Sequence, residues 1–191
     1  MTAITLQLEP LTLLTREAFV TLCEANPDAQ LERTPDGELV IMSPVGGGSG
    51  KREASLIVQV GSWNERAGLG EVFSSSTIFS LSGGGDRSPD VAWVRQDRWD
   101  ALTVEEQEGF PPICPDFVIE LRSRTDRLKP LQAKMLEYLD SGLQLGLLIN
   151  PQDRQVELYG AEQPMQVLEA PLSVVLGPLM PGLELDLRSI W

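Results

Sequence analysis

Apolar residues recur along the chain in helical and in strand rhythms, and the two alternate. Residues 15–24 place Phe19, Leu22 and Cys23 on one helical face, with Thr15 as N-cap and Asn26-Pro27 as the stop. Residues 30–33 and 38–42 flank Pro35-Asp36-Gly37, which is turn chemistry for a hairpin. A glycine run, Gly46-Gly47-Gly48-Ser49-Gly50, is expected to be a flexible loop. It leads into a helix from about Arg52 to Ala67 with Ala54, Ile57, Val58, Gly61 and Trp63 toward the core and Gly68 as the stop. Strands are predicted over 71–76, 77–81 and 89–94. An acidic helical connection opens at Thr103-Val104-Glu105-Glu106 and ends at Pro111-Pro112.

Residues 115–122 make a further buried strand, followed by a helix over 128–140. Thr125 or Asp126 can cap it, Pro130 is tolerable in its first turn, and Gly142 closes it. The run 145–151 is fully apolar, 155–159 alternates, and short β segments complete the tail to Trp191. No repeat or linker splits the series. The order predicts an α/β or α+β chain, a single domain over 1–191, with one mixed central sheet covered by helices.

Composition narrows the chemistry. The chain has 191 residues, and 42% hydrophobic with 23% charged residues suffices for a sizeable core. It has no histidine, which excludes Ser-His-Asp and Cys-His catalysis and His-ligated metals. Cys23 and Cys114 form no CxxC pair, so reduced, buried thiols are expected. The start has no basic residues ahead of an apolar core, and no stretch reaches the ~18 apolar residues of a membrane span. A soluble, unprocessed, cytoplasmic protein is the expectation. The net charge of −13 disfavours nucleic acid unless basic residues are concentrated somewhere.

They are. Residues 120–134 hold Arg122, Arg124, Arg127, Lys129 and Lys134 against Glu120 and Asp126, a local +3, while 1–40, 99–116 and 151–191 sum to −5, −5 and −4. This window is either a solvated helix face or a phosphate-binding lip. The glycine run fails as a Walker A loop, because Val45 and Arg52 stand where Gly and Ser or Thr are required.

Asp90 opens one strand and Glu120 lies on another. On the latter, residues 118, 120 and 122 share a face, so Glu120 and Arg122 project together. If the strands are neighbours, Asp90 and Glu120 offer two hard oxygen ligands suited to Mg²⁺ or Mn²⁺. The plainer alternative is two strand-end carboxylates in solvent or in salt bridges. On the following helix Leu131, Met135 and Leu139 make the packing stripe. Lys134 sits at its margin beside Tyr138, either a surface lysine or one able to reach inward over the sheet.

Leu31-Glu32, Asp36-Gly37-Glu38-Leu39, Met42-Ser43-Pro44, Ser88-Pro89-Asp90-Val91-Ala92, Asp116-Phe117-Val118-Ile119-Glu120-Leu121-Arg122, Lys134-Met135-Leu136-Glu137-Tyr138 and Leu147-Leu148-Ile149-Asn150-Pro151 occur in that order. Together they resemble the Uma-two family of bacterial restriction-endonuclease-like proteins, placed in the PD-(D/E)xK nuclease superfamily. The resemblance implies a restriction-endonuclease-like core and a metal site at Asp90 and Glu120, with Glu32 as a possible third carboxylate. The superfamily lysine two positions after the glutamate is Arg122 here, which stays protonated and cannot be a base. The family pattern offers a lysine on the following helix, matched by Lys134. Many relatives carry a histidine where this chain has Gly50-Lys51.

The expected activity is Mg²⁺- or Mn²⁺-dependent hydrolysis of DNA phosphodiester bonds. In it Asp90 and Glu120 hold the metal, Lys134 positions water, and Arg122 and Arg124 neutralise phosphate. Duplex cleavage by one-strand sites suggests a homodimer or higher homo-oligomer. The rival is a degenerate nuclease-fold module that binds or assembles without cutting, which the −13 and Arg122 favour.

Overall fold

In the computed structural model, residues 4–8 and 13–191 are described. The expectation of an unprocessed start rests partly on residues 1–3 and 9–12, outside that range. The chain begins with β1 (Ile4–Leu6) and α1 (Arg16–Ala25). Thr15 caps α1 by accepting the Ala18 N–H at 3.2 Å. The hairpin forms as β2 (Leu31–Arg33) and β3 (Leu39–Ile41), antiparallel with Leu31 opposite Ile41. Gly37 turns it at φ 76°, a conformation that suits glycine.

Next comes α2 (Gly47–Ala67), and here the sequence reading needs two corrections. The glycine run is no flexible loop, because Gly47 to Gly50 form the first turn of the helix. Downstream contacts hold that turn despite glycine's low propensity: Arg52 Nε donates to the Ile190 carbonyl at 2.5 Å, tying it to the end of the chain. The inward stripe is Leu56, Val60 and Trp63, whereas Val58 is 63% exposed. Trp63 faces inward as expected and Ile57 packs at the edge of the core; for the rest, both stripes obey helical spacing, one position apart. The choice is made by distant partners. One is the central sheet, where Trp63 packs on Trp93 and Asn64 accepts the Trp93 indole N–H at 2.9 Å. The other is the tail, where Gln59 donates to the Asp186 carbonyl at 3.1 Å and Trp63 to that of Pro181 at 3.0 Å.

There follow β4 (Gly70–Ser74), β5 (Phe79–Ser80), β6 (Asp86–Arg87), β7 (Val91–Arg95), α3 (Gln96–Trp99) and α4 (Val104–Glu108). Thr103 and Glu106 close a capping box on α4. Then come β8 (Phe117–Leu121), α5 (Leu128–Asp140), β9 (Leu145–Asn150), β10 (Gln155–Gly160), β11 (Gln163–Glu169), β12 (Ser173–Val175) and β13 (Glu184–Asp186). The N-cap of α5 is Arg127, without a side-chain cap bond, rather than Thr125 or Asp126. The Asp126 carboxylate turns back instead to accept the Ser123 N–H at 2.9 Å. Among the described residues no helix is long and apolar enough to cross a membrane.

The central sheet runs β11-β10-β9-β8-β7-β4, with β8 and β9 parallel and the other neighbours antiparallel, the mixed sheet the element order predicts. A second sheet, β1-β3-β2-β6-β5, carries the hairpin, and β12 pairs with β13. Strand parity divides the central sheet. Val91, Trp93, Phe117, Ile119 and Leu121 face α2 and the tail in one apolar core. Ala92, Val94 and Val118 face α5 with Met135 and Tyr138 in another.

Candidate active site

The α5 side of the sheet carries the acids, and register explains why. Val91 pairs with Ile119 and Ala92 with Val118, antiparallel. Continuing that register by one residue sets Asp90 opposite Glu120 on the face of Ala92 and Val118. The Leu121 N–H donates to Asp90 Oδ2 at 2.6 Å, fixing the carboxylate at the strand junction.

Three elements meet over this pair. Lys134 of α5 is 7% exposed and its Nζ lies 2.8 Å from both Glu120 Oε1 and Glu32 Oε1, while also donating to the Ser88 carbonyl at 3.2 Å. Glu32 comes from the hairpin and Glu120 from the central sheet, so one ammonium staples the two sheets together. Tyr138, one turn on, donates its hydroxyl to Glu120 Oε1 at 3.0 Å. The stripe assigned to α5 is therefore rotated: Lys134, Met135 and Tyr138 are buried, and Leu131 and Leu139 are only partly so. The polar ends of Lys134 and Tyr138 can enter because acceptors wait for them.

Arg87 extends the network. Its Nη1 donates to Glu32 Oε2 at 3.1 Å and its Nε and Nη2 grip Glu137 at 2.5 to 3.0 Å. Gly85 makes room for this pair, since a Cβ there would lie 1.9 Å from Glu137 Oε1. On the α2 side Glu53 accepts the Ser75 hydroxyl at 2.6 Å, and its charge acts on Asp90.

Electrostatics separate the acids. Burial alone would raise the pKa of Glu32, but Lys134, Arg87 and the Ser88 N–H outweigh it and hold the carboxyl below its usual range. Burial raises that of Glu120; Lys134 opposes the shift and the Glu32 charge adds to it. Burial and then the Glu120 charge push Asp90 well above the ordinary carboxylate range. Burial would lower the pKa of Lys134, but Glu120 and Glu32 outweigh it, so the side chain is a fixed cation.

These groups form the floor of a cleft of about 950 Å³ between the hairpin sheet and α5. Asp90 and Glu120 are hard oxygen donors whose mutual repulsion a divalent cation would relieve, so the pair fits Mg²⁺ or Mn²⁺ with waters filling the shell. Among the described residues no group of three or more carboxylates or thiols is close enough to make a complete cage.

Of the residues singled out in the sequence, Asp90, Glu120, Lys134 and Glu32 come together. Arg122 does not join them. Its Nε donates to the Asp126 carbonyl at 3.1 Å, and its Nη1 reaches Asn150 Oδ1 at 3.2 Å and Asp153 Oδ2 at 3.1 Å. Arg124, Arg127 and Lys129 are exposed around the start of α5. Sequence reasoning missed Arg87, Glu137, Tyr138 as a hydrogen-bond donor, and Glu53. For Arg87 the available signal was its place just before Ser88-Pro89-Asp90.

The family model described as "Uma2: Putative restriction endonuclease" matches residues 16–188. A crystal structure from Anabaena variabilis, described as "a putative nuclease belonging to DUF820", superposes with a TM-score of 0.71 at 19% identity. It covers 84% of this chain and 88% of its own. At that identity the likeness speaks for the fold. No curated protein matches the chain.

Proposed function

The chain belongs to the Uma2 family, and from that membership together with the floor of the cleft we propose that it is a metal-dependent endonuclease that hydrolyses phosphodiester bonds of DNA. The carrying observation is the convergence of Asp90, Glu120 and Lys134, from two adjacent strands and the helix packed on them, at one solvent-reaching cleft. Asp90 and Glu120 would hold Mg²⁺ or Mn²⁺. The ion supplies a bound water of lowered pKa and stabilisation of the leaving oxygen.

The protein's own groups do the rest. Lys134, a permanent cation, orients the attacking water and the phosphate oxygens and does not act as a base. Tyr138 and Lys134 hold the Glu120 carboxylate in place, and Glu32 with Arg87 holds Lys134. Arg122 keeps its fork on the Asp126 carbonyl and on Asp153, so Arg124 is the member of that pair whose exposed head can take a phosphate. If the substrate is duplex, cutting both strands takes two copies of the site, hence a homodimer or larger homo-oligomer; a single-stranded substrate needs only one.

The test is a cleavage screen on DNA substrates with Mg²⁺ and Mn²⁺. The wild type should cut, and Asp90→Ala and Glu120→Ala should not while remaining folded. Wild-type rates in either variant would end the assignment. One observation favours a second reading, a binding or assembly module without cleavage: Lys134 bridges Glu32 and Glu120 at 2.8 Å from each, an arrangement that also serves as a purely structural ion-pair network. A calorimetric Mn²⁺ titration separates the two, since saturable binding lost in Asp90→Ala supports the enzyme and none supports the module.

A further inference from the structure

Above its charged floor the cleft has walls of a different character. Val40, Met42 and Val45 line one side, from β3 and the segment after it, and Pro130 and Leu131 of α5 belong to the same lining. From these walls, the cleft's size and its charge, we infer that the cleft receives an unpaired DNA strand and excludes intact duplex. This rests on the endonuclease reading of the floor.

Size is the first argument. About 950 Å³ lies at the upper end of the range for single small ligands, roughly 300 to 1,000 Å³. It accommodates a few nucleotides of one strand. Depth is the second. Glu32, Glu120 and Lys134 are 2, 3 and 7% exposed, so a scissile phosphate has to descend between the walls to reach them. A backbone free of its partner can do that, with its bases laid against Met42, Val45 and Leu131, because every base offers an apolar face. A duplex keeps those faces stacked inside and brings only phosphate, sugar and groove edges.

Charge is the third. Duplex is held mainly by cations on many phosphates. Of the cleft's cations, Arg87 and Lys134 are tied to Glu32, Glu120 and Glu137, and Arg127 is the exposed one. Asp36, Glu38, Asp126 and Asp140 also line the cleft, so a strand has to be held through its bases on the apolar walls, and a second backbone would add phosphates with no cation left to meet them.

The experiment uses one fluorescein-labelled oligonucleotide, alone and annealed to its complement. Anisotropy is read on the metal-free wild type, and cleavage is read with Mn²⁺. Single strand should bind and be cut at least about tenfold better than duplex. Val45→Glu, an exposed wall position away from the floor, should weaken single-strand binding severalfold and leave duplex binding unchanged. Equal or better binding of duplex overturns the inference whatever is cut. A single-strand binding preference without cleavage of either substrate upholds the inference about the cleft and refutes the endonuclease reading alone.

Discussion

The two faces of the central sheet are built from the same strands and do opposite things. On the α2 side Ile119 and Leu121 lie in an apolar core closed by Leu56, Val60, Trp63 and the tail. On the α5 side Glu120, the residue between them, stands in a polar gap in an otherwise apolar layer, bonded to Lys134 and Tyr138. The alternation of strand side chains lets an apolar packing surface and a charged, cleft-facing surface share one backbone, so the charged groups inherit the rigidity of the dry side.

Adjacent residues on the two faces should respond to substitution in opposite ways. Glu120→Ala should lower metal-dependent cleavage by about a thousandfold or more, since several kcal/mol of transition-state stabilisation go with the metal. Lys134 keeps Glu32 as its partner, so the fold should survive. Ile119→Val on the other face should cost about 0.5–1.5 kcal/mol of stability in urea unfolding and leave the rate nearly untouched. A large rate loss from Ile119→Val would show that the two faces are not independent.

Lys134→Met tests whether the polar gap is also structural. Removing the ammonium leaves Glu32 and Glu120 buried with one cation fewer, a loss of about 3–5 kcal/mol for a broken buried pair. Adding Glu120→Gln should recover part of it, and a double-mutant cycle with no coupling would mean that the staple between the sheets contributes little. In a variant still folded, cleavage should fall more than DNA affinity.

The pH dependence has opposite signs within the cluster. Asp90 is raised above its unfolded value, so ionising it opposes folding, and stability falls as pH rises through its folded pKa. Glu32 is lowered, so its contribution is present above the ordinary carboxylate range and is lost as pH falls through its folded pKa. Asp90→Asn, which can still accept the Leu121 N–H, should therefore stabilise the metal-free protein at neutral pH by on the order of 1 kcal/mol. The gain should vanish in acid. A constant gain from pH 7 down to below the ordinary carboxylate range, ~4, would mean that the Asp90 charge is not what opposes folding.

Much of this was legible in the sequence where the controlling interactions are local. The α5 limits at 128–140, the Thr103 capping box and the placement of Glu120 between inward-facing Ile119 and Leu121 follow from spacing within a few residues. The convergence of Asp90, Glu120, Lys134 and Glu32 followed from resemblance, and the register of β7 on β8 supplies its physical reason. What escaped was set by distant partners. Arg87 binds Glu137 fifty positions away, and Arg122 is drawn from the face of Glu120 by Asp153.

The smallest effect tests that explanation most directly, on α2. Helical spacing alone allows Val58 or Val60 to point inward, and packing against the central sheet and the tail chooses between them. Val60 is fully buried, so Val60→Ala removes packed methyl groups and should destabilise by more than 1 kcal/mol. Val58 is 63% exposed. There alanine removes a β-branched side chain from the middle of a helix, where alanine is favoured by some tenths of a kcal/mol, about 0.5 at most, so Val58→Ala should be neutral or slightly stabilising. Comparable losses at both positions in urea unfolding would mean that Val58 is packed as Val60 is, and that the contacts with the sheet and the tail do not set the rotation of α2.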